Sequence, residues 1–264
     1  MLAGQTMPEL PEVEAARQKL ERWTLDQPIH ALEVLDDKLA VDPARLVGQR
    51  ITRWERRGKA LVARLPDSAL FLHLGMTGKL VRDPGERPYQ RLRLTCNQMV
   101  AFIDPRRFGD ARTLSHAEAD ALLAALGPDA RDNPLDAAAL KAAMGRGKTP
   151  LKTRLLEQQR LAGLGNIAVI EACYRANVHP HAPVDRLDDA AWTRLVPAIQ
   201  AHLEATLAAI DPDAELTYLS EGAPSEFLVY GHEDAPCERC GTRIVREVLA
   251  GRPTFWCTQC QPLP

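Results

Sequence analysis

The chain of 264 residues lacks any hydrophobic run long enough to cross a membrane as a helix. Such a helix needs roughly 18 or more consecutive apolar residues. The first residues, MLAGQTMPELPEVE, also lack the basic stretch and the apolar core of a secretory signal peptide. Together these absences predict a cytosolic protein without membrane contact.

Internal repeats are absent too, and so are low-complexity tracts apart from a general richness in alanine. Hydrophobic residues make up 45% of the chain and charged residues 26%. These proportions are ordinary for globular proteins and exclude disordered, collagen-like or coiled-coil structures. The length suits one large or two modest domains, each with its own core, so a globular enzyme is feasible.

The net charge is small, because 33 basic residues stand against 35 acidic ones for a total of -2. Taken as a whole, this balance is not typical of a nucleic-acid-binding protein. The charges are unevenly distributed, however: residues 50–59 hold five basic residues and one acid, residues 141–160 hold six and one, and residues 181–235 hold two and eleven. Each basic segment is either a solvated face or part of a nucleic-acid-binding surface.

Hydrophobic spacing predicts both helices and strands. Two prolines and two glutamates at residues 8–12 form the first turn of a helix that runs to about Arg22. Short apolar runs between residues 29 and 114, broken by Pro, Gly and Asp, predict a β-sandwich. Helices return with a capping box at Ser115 and are predicted at about 135–145, 150–160, 167–176 and 188–209, the last kinked at Pro197.

Near the C-terminus, two C-x2-C pairs are separated by sixteen residues: Cys237 with Cys240, and Cys257 with Cys260. Each pair can chelate from a tight turn, and two facing turns supply the four thiolates of a closed tetrahedral zinc site. A redox role is weaker, because no βαβ pattern surrounds either pair. Four thiolates leave no coordination position for an activated water, so the spacing predicts one structural zinc ion and excludes a zinc-dependent nuclease.

Several motifs appear together in a characteristic order: MPELPEVE at 7–14, RRGKALVARL at 56–65, HLGMTGKL at 73–80, DPRRFG at 104–109, LAGLGNI at 161–167, and the four cysteines. Through them the chain resembles the formamidopyrimidine-DNA glycosylase and endonuclease VIII family over nearly its whole length, and the first branch more closely. The resemblance implies an α+β fold with three parts. These are an N-terminal helix and β-sandwich domain at 7–130, a helical domain with a helix-two-turns-helix motif at 131–230, and a zinc-finger β-hairpin at 231–264.

The resemblance also implies a bifunctional repair enzyme that flips a damaged base out of duplex DNA, cuts its glycosidic bond and nicks the abasic strand. Pro8 matches the nucleophile, whose amine forms a Schiff base with the sugar. Glu9 matches the acid that protonates the sugar ring oxygen, Lys59 an assisting group, and Arg252 the arginine that promotes δ-elimination. The implied partner is damaged double-stranded DNA, and the implied protein is a monomer of the bacterial cytosol or nucleoid.

Further residues match the family's DNA contacts. Met76, Arg106 and Phe108 match the trio inserted into the DNA stack where the base has left, with Arg106 facing the orphaned partner base. Lys152 and Asn166 match residues that hold DNA phosphates in the family, and Lys148 and Arg146 add to the same basic patch. Tyr89, also expected at the DNA, stands where the family frequently has a DNA-contacting His.

Two larger features depart from the family. Pro8 follows seven other residues, and an internal proline nitrogen is an amide without a usable lone pair; we therefore expect Met7 to be the working start, with Met7 removed to free Pro8. If Pro8 is not the mature N-terminus, the alternative is a catalytically inactive protein that binds lesions or abasic sites. The segment at 217–230, where the family has a loop covering the flipped base, is short here, so the preferred lesion and opposite base stay open.

Overall fold

The computed structural model describes residues 8–131, 136–215 and 227–264. The chain divides into two compact units. We call residues 7–125 with 207–218 the sandwich unit, and residues 126–206 with 219–264 the C-terminal unit. Among the described helices, none combines the length and apolar character needed to span a membrane.

Helix α1, Leu10–Thr24, opens the sandwich unit. Glu9 is its N-cap residue, and a capping box forms because the backbone N–H of Glu9 donates to Oε2 of Glu12 at 2.9 Å. The helix extends two residues beyond its predicted end. Thr24 is buried there, donating to the carbonyl of Leu20 at 2.7 Å and accepting from the indole of Trp54 at 2.9 Å.

Within the described residues, the sandwich unit holds two antiparallel four-stranded sheets, in the orders β1-β6-β7-β5 and β2-β3-β4-β8. The strands are β1 Ala31–Val34, β2 Arg53–Arg57, β3 Ala60–Arg64, β4 Ala69–His73, β5 Lys79–Arg82, β6 Gln90–Thr95, β7 Met99–Ile103 and β8 Asp110–Leu114. One apolar core is built from both sheets and α1, with Leu20, Leu61, Leu70, Leu72, Leu92, Leu94, Val100 and Phe102 among its members. Helix α2, His116–Ala124, follows β8 and begins with the predicted capping box at Ser115.

The C-terminal unit contains helices α3 Ala137–Met144, α4 Leu151–Leu155, α5 Asn166–Arg175 and most of α6 Asp189–Ala209. The prediction of one helix over 150–160 is wrong, since α4 ends at Leu155. The reason lies in the side chain of Gln158, which donates to the carbonyls of Leu156 and Leu164 at 3.0 Å each and accepts from the backbone of Gly163 at 2.9 Å. These bonds support turns between α4 and α5 instead of further helix.

A two-stranded hairpin follows, made of β9 Ile244–Leu249 and β10 Arg252–Cys257. Ala250 and Gly251 connect the strands, and both have positive φ angles, 51° and 72°. This places Arg252 beside the tip, paired with Leu249. The sandwich, the helices and the hairpin confirm the predicted α+β fold.

Candidate active site and DNA-binding surfaces

The N-terminal end of α1 holds two of the four predicted catalytic residues, Pro8 and Glu9, both buried. Glu12, in the first turn of α1, adds a second carboxyl group through the capping box. Burial, and then the negative charge of Glu9, raise the pKa of Glu12 to about 7. The positive charge of Lys59 opposes this shift, so its ammonium acts on the same carboxyl group. The structure therefore brings Glu9, Glu12 and Lys59 into one electrostatically coupled group.

Lys59 lies in the tight turn between β2 and β3 and is buried. Gly58 precedes it with a φ of 56°, a left-handed conformation that glycine adopts without steric cost. Arg56 supports the turn from below: its Nη1 donates to the carbonyl of Gly58 at 3.1 Å, and its Nε donates to Oε2 of Glu14 at 2.9 Å. Because Glu14 belongs to α1, this contact ties the Lys59 turn to the helix that carries Glu9.

The carboxylate of Glu14 and the guanidinium of Arg56 are both almost fully buried. Burial by itself would raise the pKa of Glu14, but hydrogen bonds from Arg17 and Arg56 lower it to about 2. The carboxylate therefore remains ionised throughout the neutral range. A buried arginine–carboxylate pair of this kind fixes orientation, so Lys59 has a well-supported position.

Met76 and Phe108 lie on two turns that pack against each other, one between β4 and β5, the other between β7 and β8. Gly75 makes this approach possible. Its φ is 65°, and a Cβ atom there would lie 2.4 Å from the carbonyl carbon of Phe108. That distance is too short for any residue with a side chain, so only glycine fits. The ring of Phe108 is 53% exposed, and Met76 is half-buried. Two members of the predicted insertion trio are thus brought together.

Arg106, the third member, is exposed and lies with its guanidinium carbon 4.7 Å from the centre of the Phe108 ring. The buried carboxylate of Asp104 holds the loop 104–109 by accepting from the backbone of Arg106 at 3.2 Å and of Gly109 at 2.7 Å. An exposed aromatic ring stacked with a cation suits insertion between bases. We call Met76, Arg106 and Phe108 the wedge.

Tyr89, predicted to contact DNA, is 55% exposed and has a φ of 66°. A left-handed conformation is unusual for a bulky residue and tends to occur at functional sites. Its backbone is held, because the N–H of Asp104 donates to the carbonyl of Tyr89 at 3.0 Å. The guanidinium carbon of Arg91 lies 5.8 Å from the centre of the Tyr89 ring. The strained backbone thus presents an aromatic side chain to solvent beside a cation.

In the C-terminal unit, Asn166 is the first residue of α5. Its Nδ2 donates to the carbonyl of Pro253 on the hairpin at 3.0 Å. The N-terminus of α5 offers backbone N–H groups and a positive dipole end, both favourable to a phosphate. Arg146 and Lys148 are exposed in the loop before α4.

Lys152 differs from what the resemblance implied. It is fully buried, and its ammonium donates to the carbonyls of Arg252 and Pro253 at 3.4 and 3.1 Å and to Oγ1 of Thr254 at 2.6 Å. The three hairpin acceptors satisfy this charge within the protein, which argues against a direct contact with a phosphate; that contact stays a prediction. Lys152 instead supports the start of β10, where the exposed Arg252 lies.

Replacing Lys152 with Met should therefore lower the free energy of unfolding by about 1–3 kcal/mol, because three hairpin acceptors lose their donor. Chemical denaturation measures this change. Lys148→Met, which alters an exposed lysine of the same basic segment, should leave stability within about 0.5 kcal/mol of the original. Unchanged stability together with weaker DNA binding in Lys152→Met would instead restore Lys152 as a phosphate contact.

The four predicted metal ligands converge beside the hairpin. The Sγ atoms of Cys237, Cys240, Cys257 and Cys260 all lie within 4.8 Å of one another. In three of the cysteine pairs the Sγ atoms lie 3.4–3.9 Å apart, which is too far for a disulfide bond. The spacing suits four thiolates around one ion. The donor set fits a structural zinc ion, which these cysteines would hold without an open coordination position.

Helix α5 supports this cysteine cluster from one side. The hydroxyl of Tyr174 lies 3.1 Å from Sγ of Cys237. Gln261 accepts from the backbone of Cys257 at 3.0 Å and donates to the carbonyl of Val178 at 2.8 Å. These contacts join the zinc-finger hairpin to the helix whose N-terminus carries Asn166.

Comparison with known proteins identifies the arrangement. Residues 7–111 match the formamidopyrimidine-DNA glycosylase N-terminal domain, residues 126–215 match the H2TH domain of the same enzymes, and residues 235–263 match the zinc finger found in FPG and IleRS. The formamidopyrimidine-DNA glycosylase of Acidiphilium cryptum is 37% identical, over 97% of this chain and 100% of the relative. This chain belongs to the formamidopyrimidine-DNA glycosylase family.

Other members of the family agree. The formamidopyrimidine-DNA glycosylase of Rhodococcus jostii is 35% identical, with 98% of this chain and 97% of the relative covered. The crystal structure of MutM (Fpg) from Thermus thermophilus has a TM-score of 0.84 at 32% identity, covering 97% of this chain and 100% of that one. The Lactococcus lactis Fpg in complex with abasic-site DNA has a TM-score of 0.85 at 28% identity, covering 96% and 99%. The predicted family, fold and zinc finger are confirmed.

Glu12 is not among the active-site residues predicted from the sequence. The available signal was its position three residues after Glu9, which is the spacing of a capping box and brings both carboxyl groups to one helix end. Two predictions concern residues outside the described ones: the working start at Met7, and the short segment at 217–230 except for its last four residues.

Proposed function

We propose that this protein is a base-excision-repair DNA glycosylase with abasic-site lyase activity, which removes oxidised, formamidopyrimidine-type bases from duplex DNA. The observation that carries the proposal is the buried group of Pro8, Glu9 and Lys59 in the same unit as the exposed wedge. Relatives that match over nearly the whole of both chains are formamidopyrimidine-DNA glycosylases. The Lactococcus lactis relative was solved with Fapy-dG-containing DNA and with abasic-site DNA.

The chemistry requires a free secondary amine at Pro8. That amine attacks C1′ of the sugar and the glycosidic bond breaks, which releases the damaged base. Glu9 protonates the ring oxygen, so that the C1′–O4′ bond opens and the nitrogen forms an iminium with C1′. The iminium that forms acidifies the neighbouring C2′ proton; its loss expels the 3′ phosphate in β-elimination, and a second elimination releases the 5′ phosphate. Lys59, which belongs to the same buried group, assists catalysis, and Arg252 promotes the second elimination.

Nucleophile and acid need opposite protonation states at the same pH, the amine neutral and the carboxyl protonated. Burial in general disfavours the charged form of a carboxyl group and of an amine. Glu12 already shows this effect in its pKa of about 7, raised by burial and by Glu9. The start of α1 is therefore suited to keep a carboxyl group protonated near neutral pH.

Binding to damaged duplex DNA would use both units. The wedge and Tyr89 would fill the gap left by the flipped nucleotide and contact the kinked duplex. Asn166, Lys148, Arg146 and Arg252 would bind phosphates from the C-terminal unit, with the zinc ion folding the hairpin that carries Arg252. We further propose that the protein acts as a monomer in the bacterial cytosol or nucleoid.

A panel of duplexes, each with one oxidised purine or pyrimidine, tests this function. A chain that begins at Pro8 should cleave the formamidopyrimidine duplex and leave phosphates at both ends of the gap, with no cleavage of undamaged duplex. The second candidate function is a non-catalytic binder of lesions or abasic sites, which applies if Pro8 is not the mature N-terminus. Tight, damage-specific binding without any cleavage by the Pro8-start chain would establish that second function instead.

A further inference from the structure

Two residues far apart in sequence form a closed ion pair beside the wedge. Asp36 follows strand β1, and Arg107 lies in the loop 104–109 between Arg106 and Phe108. The Nε of Arg107 donates to Oδ2 of Asp36 at 2.7 Å, and its Nη2 donates to Oδ1 of the same carboxylate. Such a two-point arginine–carboxylate contact fixes direction as well as distance.

The backbone of Arg107 depends on outside support. Its φ is 56°, in the left-handed region that residues other than glycine rarely occupy. Because the preferred backbone of an arginine lies elsewhere, the contact on its side chain adds to the Asp104 hydrogen bonds that hold this loop in one conformation.

Other charges around the pair strengthen it. The side chain of Asp36 is only 2% exposed, and Nε of Arg91 lies 3.6 Å from its Oδ2. Arg91 also donates to the carbonyl of Asp104, in the wedge loop itself, at 2.8 Å. Asp37 contacts Arg107 as well, but its side chain is 92% exposed. Hydrogen bonding from Arg107 is the main reason that the pKa of Asp36 falls to about 2, so the carboxylate stays charged.

We infer that Asp36 is a positioning residue for the wedge: by holding Arg107, it keeps Arg106 and Phe108 oriented for insertion opposite the orphaned base. This inference rests on the proposed function, because it takes the wedge to enter damaged DNA. Asp36 touches neither DNA nor the reacting atoms in this account. Its effect on DNA binding is transmitted mainly through Arg107, the residue that makes the two-point contact with its carboxylate.

The opposing interpretation is that Arg107 binds a phosphate directly and that Asp36 competes with DNA for it. The two interpretations differ in sign. If Asp36 only competes, Asp36→Asn frees a cation and strengthens binding. If Asp36 positions the wedge, Asp36→Asn weakens binding, and adding Arg107→Gln to it brings little further loss because both changes break the same contact.

The experiment uses the full chain and a duplex with a stable tetrahydrofuran abasic analogue, so that no catalysis is needed. Dissociation constants are measured with dC and with dA opposite the analogue, and on undamaged duplex. A 2-aminopurine base opposite the analogue reports insertion through its fluorescence. The variants are Asp36→Asn, Asp36→Glu, Arg107→Gln, the double change Asp36→Asn with Arg107→Gln, and the control Asp37→Asn, which alters the exposed neighbour.

We expect Asp36→Asn to weaken binding to the analogue duplex about tenfold and to reduce the 2-aminopurine signal. The ratio of the dissociation constants with dC and with dA opposite the analogue, the dC-to-dA ratio, should come close to one. The double variant should bind no worse than about twofold beyond either single change. Asp36→Glu should recover much of the ratio, since it restores the carboxylate, and Asp37→Asn should change it little. Thermal unfolding confirms that each variant is folded. Tighter binding by Asp36→Asn, additive losses in the double variant or an unchanged dC-to-dA ratio in folded Asp36→Asn would each overturn the inference. Failure of the proposed function has a different signature, namely intact discrimination by the original chain without base excision from lesion duplexes by the Pro8-start chain.

Discussion

Changing Glu9 to Gln is expected to slow excision of a formamidopyrimidine base about 1,000-fold, while cleavage of a preformed abasic site stays within about threefold of the original rate. The two steps separate because Glu9 protonates the ring oxygen as the base is lost and the sugar ring opens. A preformed abasic site has already lost its base and can react through its open-chain aldehyde, so only the amine of Pro8 and the later eliminations are required. Single-turnover assays of the Pro8-start chain on both substrates measure this difference.

Glu12 provides the matched control, since it lies in the same capping box and titrates near neutral pH, its pKa raised to about 7 by burial and by Glu9. Glu12→Gln leaves Glu9 in place, so its excision rate should fall far less, by about tenfold or under. Equal losses in both variants would mean that the carboxyl groups act as a unit. Equal loss of base excision and abasic-site cleavage in Glu9→Gln would remove Glu9 from the proton-donor role.

Removing one zinc ligand through Cys257→Ala is expected to abolish specific binding to damaged duplex, by at least about 100-fold in dissociation constant. Cys257 is buried and is the last residue of β10, the strand that begins at Arg252. Its loss should destabilise this strand, which Lys152 and Asn166 contact at Pro253. Without the ion, the three remaining thiolates lose their common partner, and the hairpin keeps only its apolar packing, through residues such as Ile244 and Phe255. Zinc content by elemental analysis and duplex affinity by fluorescence anisotropy give the two readouts.

Cys96→Ala is the control for this change, because Cys96 is a buried thiol of the sandwich unit. It should retain one zinc per chain and its DNA affinity. A strong chelator should reproduce the effect of Cys257→Ala on the original chain. Full damage-specific binding by a chain shown to be free of zinc would contradict the role of the hairpin.

Features set by neighbouring residues were predictable from the sequence. The prolines and glutamates at 8–12 define the start of α1, since caps and first-turn charges act within one turn. The two C-x2-C pairs define the metal ligands, because each pair chelates locally and four thiolates need a common ion. The short apolar runs broken by Pro, Gly and Asp predict the β-sandwich, although they do not specify which strands share a sheet.

Features that depend on contacts distant in sequence were not predictable. Lys152 and Thr254 are 102 positions apart, and nothing near Lys152 indicates that hairpin acceptors will enclose its ammonium. Asp36 and Arg107 are 71 positions apart, and a surface pair of ordinary charges looks the same in sequence as a buried, two-point contact. Helix α4 is shorter than predicted for a different, local reason: the side chain of Gln158 bonds backbone groups only 2 to 6 positions away, and apolar spacing does not indicate such turns.

The amine of Pro8 as nucleophile is the central claim, and reduction with borohydride tests it most directly. Incubating the Pro8-start chain with abasic duplex and borohydride reduces the iminium to a stable amine, and mass spectrometry of the digested complex locates the sugar. We predict one covalent adduct on the N-terminal peptide at Pro8, and none when residues 1–7 are retained and the nitrogen remains an amide. The absence of an adduct in the Pro8-start chain, or an adduct on Lys59 instead, would contradict the account.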